Sequence, residues 1–193
     1  MLQAISLHCD RSRRQLFTAL DISVAPGQLL QVRGPNGSGK TTLLKILVGL
    51  YTDYRGDIEW SLDRPPLYLG HSPGVNSRMT VVENLKWLCQ LQGEHCDDQS
   101  IDLVLDALGL HGYQETNCSS LSEGQRKRVN LARFFLVNNP CWVMDEPFSS
   151  IDVLGFEHLQ QRMQEHLSAG GAIILTSHQE LTLDAEIRML ELS

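Results

Sequence analysis

The 193-residue chain predicts an α/β fold built on a mainly parallel sheet. Three observations predict it. Short apolar runs of strand character alternate with longer helical ones, a glycine-rich turn joins one such run to an apolar helix, and an amphipathic helical stretch interrupts the alternation. Hydrophobic residues make up 42% and charged residues 20%, the balance of a folded globular chain.

The elements follow in order. Runs 2–7, 20–24 and 29–32 read as strands, and Pro26-Gly27 breaks the second from the third as a turn. Residues 43–50 are apolar nearly all round and predict a buried helix, with Gly49 near its end. Residues 56–60 read as another short strand. From 81 to about 112 the pattern turns helical: Leu85, Leu88 and Leu91 recur at helical spacing, as do Ile101, Val104, Leu105 and Leu108. Beyond Leu121 come a helix, a strand over 142–144, a helix over 156–167, a strand over 172–175 and a last strand over 188–192. Trp142, Phe134 and Phe135 read as core.

Composition bounds the class. A formal charge of −7 argues against a general nucleic-acid binder, and no nucleic-acid partner is expected. Cys9, Cys89, Cys96, Cys118 and Cys141 form no C-x-x-C pair, which fits reduced thiols better than a zinc site or a disulfide framework. Charge arrives at Asp10 and Arg11 before any apolar run of signal-peptide length, and no stretch approaches the ~20 apolar residues that cross a bilayer.

The glycine-rich turn is the first chemical signal. Gly34, Pro35, Asn36, Gly37, Ser38, Gly39, Lys40, Thr41 and Thr42 fit G-x-x-x-x-G-K-[ST], with a strand before and an apolar helix after. The glycines let the backbone curl so that successive N–H groups point inward at a polyanion, and the helix start adds its positive dipole end. Lys40 is placed to reach the β- and γ-phosphates of a nucleotide, and the Thr41 hydroxyl to ligate Mg²⁺. The fold is therefore that of a P-loop NTPase with a RecA-like core. Downstream, the strand over 142–144 ends in Asp145 and Glu146. A strand alternates its side chains, so the two carboxylates take different tasks: Asp145 in the Mg²⁺ shell, Glu146 as general base toward water. Ser122, with Gln125 three residues on, has the form of a capping box, so a helix begins there and presents a second anion site with Gly124.

Taken together, residues 34–42, 121–125, 145–146, 149–152 and 176–178 closely resemble the ABC ATPase domain, in the family's order and across essentially the whole chain. The resemblance implies an N-terminal antiparallel β subdomain, a core over 1–80 and 122–193, and a helical subdomain over about 81–121 facing a transmembrane partner. It implies a head-to-tail pair of two copies. Each copy's Ser122, Gly124 and Gln125 would then close over the other's ATP, with His178 at the γ-phosphate and the Asp152 loop at the interface. Two positions depart from the family pattern. Glu123 stands where glycine is usual, and His71 stands where a glutamine senses Mg²⁺ and the attacking water; the other reading of His71 is an incidental loop histidine. The family's usual aromatic for stacking on adenine, expected upstream of Leu20, is not evident; an arginine (Arg11, Arg13 or Arg14) stacks in its place, or Phe17 serves.

Tyr68, Leu69, Gly70, His71 and Gly74, with the stretch 145–152, resemble more narrowly the ATP-binding subunits of cytochrome c biogenesis (haem export) systems. That resemblance implies a peripheral protein on the cytoplasmic face of the inner membrane. Its partners would be the integral subunits CcmB, CcmC and CcmD and the haem chaperone CcmE, and its role haem export or release of the haem-loaded chaperone. Direct haem binding is not expected, because the remaining histidines and cysteines form no C-x-x-C-H pattern. An ABC subunit serving another substrate, or an ABC ATPase outside transport, is the alternative.

Overall fold

The computed structural model describes residues 1–11, 14–149 and 151–193. The chain opens with β1 (Leu2–Arg11) and β2 (Arg14–Val24), which pair antiparallel, and β4 (Arg55–Trp60) pairs antiparallel on the other edge of β1. This is the N-terminal antiparallel sheet, in the order β2-β1-β4. β1 runs well past the expected strand because its inward positions Leu2, Ala4, Leu7 and Cys9 keep a buried face while Gln3, Ile5 and Ser6 take the outer one.

The second sheet has the order β5-β6-β7-β3-β8, from β3 (Gln28–Arg33), β5 (Leu67–Leu69), β6 (Cys141–Asp145), β7 (Ala172–Thr176) and β8 (Glu186–Glu191). β3 is parallel to β7 and β8, and β6 to β7. Every residue of β6 and β7 is buried, as expected for central strands of a parallel sheet covered on both faces. The three-residue β5, behind Pro65 and Pro66, is too short to leave a periodic signal in the sequence.

α1 (Lys40–Leu47) begins three residues before the apolar run and ends before Leu50, because Gly49 takes φ 75° and turns the chain out of the helix. α2 (Val81–Leu91) and α3 (Asp98–Ala107) are capped by Thr80 and Asp97, and α4 (Glu123–Leu136) by Ser122. α5 spans Val153–Ser168.

The chain divides into two compact units, one of residues 1–68, 139–146 and 163–193, the other of residues 69–138 and 147–162. The second unit is wider than the 81–121 segment read from the sequence, since α4 packs with α2 and α3. In the first unit, Leu7, Leu43, Leu44, Val143 and Ile174 belong to one core. Trp142 is fully buried there and stacks on His166 at 3.9 Å between ring centroids, which makes that histidine a packing residue. Phe134 is likewise fully buried, in the second unit, while Phe135 is only half-buried.

Candidate ATP-binding and hydrolysis site

In parallel α/β sheets, ligands sit beyond the carboxyl ends of the strands. Here three such ends adjoin. β3 runs into the glycine-rich loop, β6 ends at Asp145, and β7 ends at Thr176, which is in register with both Asp145 and Val32.

The loop requires glycine at position 34: with φ 144°, a Cβ there would lie 2.3 Å from the Leu192 carbonyl oxygen and 2.7 Å from Ser38 Oγ. Gly39 precedes α1 in a left-handed conformation and offers no capping side chain. Thus α2, α3 and α4 have side chains satisfying their first N–H groups, and α1 does not. Free N–H groups at a helix start, with the dipole behind them, form an anion site. The Lys40 ammonium, 9% exposed, donates to the carbonyls of Gly34 (2.7 Å) and Pro35 (3.1 Å), so the cation lies within the loop.

Thr41 Oγ1 donates to Asp145 Oδ2 at 2.8 Å, and Thr176 Oγ1 donates to Asp145 Oδ1 at 2.8 Å. A hydroxyl beside a buried carboxylate is a hard oxygen donor set of the kind Mg²⁺ takes. The same Thr176 Oγ1 accepts from the Glu146 N–H at 2.8 Å. Glu146 lies just past the strand and has φ 49°, so strand alternation does not extend to it and a left-handed residue follows Asp145 instead. Its Oε1 lies 3.7 Å from His178 Nε2, with the two side chains 30% and 62% exposed. Burial, and then the Asp145 charge, push the Tyr68 hydroxyl up to about 12, so it stays a neutral phenol beside the site.

Two contributors have no role assigned from the sequence: Thr176, which enters there only as part of the 176–178 motif, and Gln31. Thr176 bridges both acidic residues. Gln31, polar in an otherwise apolar strand and 1% exposed, donates to the Ser177 and Gln179 carbonyls at 3.1 Å each, fixing the backbone on both sides of His178.

The adjoining ends of β1 and β2 reach the loop as well. Arg11 Nη1 donates to Thr42 Oγ1 at 3.4 Å, and Arg14 Nη1 lies 3.7 Å from where a Gly37 Cβ would be. Phe17, 7% exposed, belongs to the core and is withdrawn from any stacking role. Arg13 and Ser150 lie outside the described residues. A cavity of about 450 Å³ at the other end of α1, lined among others by Tyr54, Trp60 and Arg64, contains none of the residues above.

The second unit holds the remaining sequence-predicted residues. Ser122 Oγ accepts from Gln125 N at 3.1 Å, and Gln125 Oε1 accepts from Ser122 N at 2.9 Å, so the predicted capping box is formed. Accepting uses a lone pair and leaves the exposed serine a hydroxyl proton to donate outward. Glu123 and Gly124 follow in the first turn of α4. Buried Lys127 of the same helix donates to Ser149 Oγ at 2.6 Å. Asp152 caps α5 by accepting from Gly155 N at 2.9 Å. His71 is exposed on the bend after β5.

This fold with this site defines an ABC-type ATP-binding domain, and the ABC transporter family model matches residues 17–149. The cytochrome c biogenesis ATP-binding export protein CcmA of Pseudomonas syringae pv. syringae is 41% identical over 99% of this chain and 94% of its own length. The CcmA of Hahella chejuensis is 42% identical over 100% and 95%. The chain belongs to this family of ABC transporter ATP-binding proteins. Among solved structures, an ABC transporter ATP-binding protein from Pyrococcus furiosus, 25% identical, aligns with a TM-score of 0.79 over 99% of this chain and 96% of that one. A dimeric ATP-binding cassette in a post-hydrolysis state with ADP and Pi, 18% identical, shares the fold with a TM-score of 0.77 over 93% and 88%. No helix among the described residues is long and apolar enough to cross a membrane.

Proposed function

We propose that the chain is the ATP-hydrolysing subunit of an inner-membrane ABC complex that exports haem, or releases haem-loaded chaperone, in c-type cytochrome maturation. The observation that carries the catalytic half is the uncapped start of α1 beside the Thr41–Asp145–Thr176 chain, with the Glu146 N–H bonded to the same Thr176 hydroxyl.

The backbone of residues 34–42 cradles the phosphates, and Lys40 exchanges a loop carbonyl for a phosphate oxygen. Thr41 and Asp145 hold Mg²⁺, which neutralises phosphate charge when bound. Glu146 takes a proton as a water oxygen attacks the γ-phosphorus and the bond to ADP breaks. His178 orients the γ-phosphate, and His71 lies on the loop that senses the attacking water. A second copy completes the site with Ser122, Gly124 and Gln125, and the Asp152 loop crosses that interface. The post-hydrolysis dimer among the fold neighbours supports this pairing.

The 38–42% identity to CcmA proteins over nearly the whole chain supports the pathway. CcmB, CcmC and CcmD would hold the chain on the cytoplasmic face through its 81–121 subdomain, and CcmE would receive the outcome of turnover. Cells carrying Lys40→Ala as their only copy should lose haem-stained c-type cytochromes and keep b-type haem in a reduced-minus-oxidised spectrum. Normal c-type staining rejects the pathway and leaves the ATPase reading intact.

A further inference from the structure

One polar side chain is buried inside an otherwise apolar strand. In β3, Leu29, Leu30 and Val32 are buried, and Gln31 among them is just as inaccessible. An amide taken out of water is costly unless its groups are bonded, and these are. Gln31 Nε2 uses both protons, on the Ser177 and Gln179 carbonyls, and Gln31 Oε1 accepts from Arg33 Nη2 at 3.1 Å. Two carbonyls on one side and a guanidinium on the other fix which end of the amide is which.

The two carbonyls flank one residue, His178. The Gln179 N–H donates to Ser177 Oγ at 2.9 Å and closes the bend around it, and Thr176, just ahead, is bonded to Asp145. The backbone on either side of His178 is thus held, while its imidazole stays exposed beside Glu146. A side chain on a fixed backbone is aimed in advance, so less ordering is needed when it meets a ligand.

We infer that Gln31, with Arg33 behind it, is the positioning residue for His178, and that this clamp sets the preference for a nucleoside triphosphate over a diphosphate. The inference rests on the proposed placing of His178 at the γ-phosphate and adds what aims it there. The backbone N–H groups of residues 34–42 hold phosphates that both nucleotides carry. An imidazole that meets the γ-phosphate acts on the triphosphate alone. Arg33 directly precedes Gly34, so one strand carries both the phosphate loop and the anchor of the His178 bend. Such an anchor matters because a misplacement of about 1 Å removes much of what a positioned group contributes.

The test is equilibrium binding of ATP and of ADP to the full chain with Mg²⁺, by displacement of a fluorescent nucleotide at one protein concentration throughout. A Glu146→Gln background removes hydrolysis. Gln31→Leu keeps the volume and deletes both donors. It should lower ATP affinity by about 5- to 10-fold, the scale of two lost hydrogen bonds, and leave ADP affinity unchanged. His178→Ala should lower the ATP-to-ADP affinity ratio as well. Adding Gln31→Leu to His178→Ala should lower it no further, because the amide acts through the imidazole. Should circular dichroism show Gln31→Leu unfolded, Arg33→Met decides instead; it releases the far end of the amide and should lower the ratio by roughly 2- to 3-fold. An unchanged ratio in these variants, beside a lowered one in His178→Ala, overturns the inference and leaves His178 at the γ-phosphate. Equal loss for both nucleotides in a folded variant, or a further loss in the double variant, overturns it too. An unchanged ratio in His178→Ala overturns the inference together with the γ-phosphate reading on which it rests.

Discussion

The Thr176 hydroxyl donates to Asp145 Oδ1 at 2.8 Å and is fully buried with it between neighbouring parallel strands. Because the same oxygen accepts from the Glu146 N–H, one hydroxyl ties the Asp145 carboxylate to the backbone of Glu146. Thr176→Val keeps the shape and deletes the bridge. Leaving a buried acceptor and a backbone donor unsatisfied costs about 1–3 kcal/mol, so the melting temperature should fall. ATP turnover should fall roughly 10-fold or more with smaller change in nucleotide affinity, since misplacing a catalytic group acts on the chemical step. Equal turnover in the two proteins contradicts the bridge.

Glu146 and Lys40 should fail in different ways. Glu146→Gln removes a proton acceptor and leaves the loop intact, so the variant should bind ATP normally and lose hydrolysis by ~10²–10⁴-fold. Lys40→Ala removes the cation held among the Gly34 and Pro35 carbonyls and should weaken binding itself. Equilibrium binding of a fluorescent ATP analogue, measured beside phosphate release in the assembled complex, separates the two. Normal phosphate release by Glu146→Gln removes it from the role of base.

Ser122 offers a hydroxyl proton from a capped helix start, so pairing of two copies should depend on nucleotide. Hydrolysis-deficient chain should become dimeric with ATP in light scattering, and Ser122→Arg should stay monomeric. A dimer of equal strength without nucleotide points to a different interface.

The five cysteines are free and buried, so native protein should resist alkylation and denatured protein should take five labels by mass spectrometry. The thiol of Cys141 is pushed up to about 12 by burial, above the ordinary 9.0. A raised folded value means that the thiol's contribution is fully present below pH 9 and is lost as pH climbs from 9 toward 12, where only the unfolded chain ionises. Stability should drop there by about 1.4 kcal/mol per pH unit for this thiol alone. Cys141→Ala should flatten that part of the curve, read from urea midpoints between pH 8 and 11.

Much of this was legible in the sequence because the signals are local. The phosphate loop, the Ser122–Gln125 box and the order of strands and helices depend on residues within a few positions of one another, and the fold reproduces them. What escaped depends on distant pairings. Thr176 meets Asp145 across 31 positions, and Gln31 meets the Ser177 carbonyl across 146, so neither partnership has a periodic trace. Phe17 was a stacking candidate on residue type alone, and packing against the core removes it. Separate tasks for Asp145 and Glu146 follow from strand alternation in the sequence, yet the strand ends at Asp145 and Glu146 follows it in a left-handed conformation.

That left-handed backbone at Glu146 sets stability against work. A side chain held at φ 49° costs of order 1–3 kcal/mol, a penalty that glycine does not incur and asparagine incurs less. Selection of heat-resistant variants, blind to turnover, should therefore enrich Gly or Asn at position 146 and deliver a sturdier protein that no longer spends ATP. An engineer seeking a robust form of this subunit has to hold that position fixed and look for gains elsewhere.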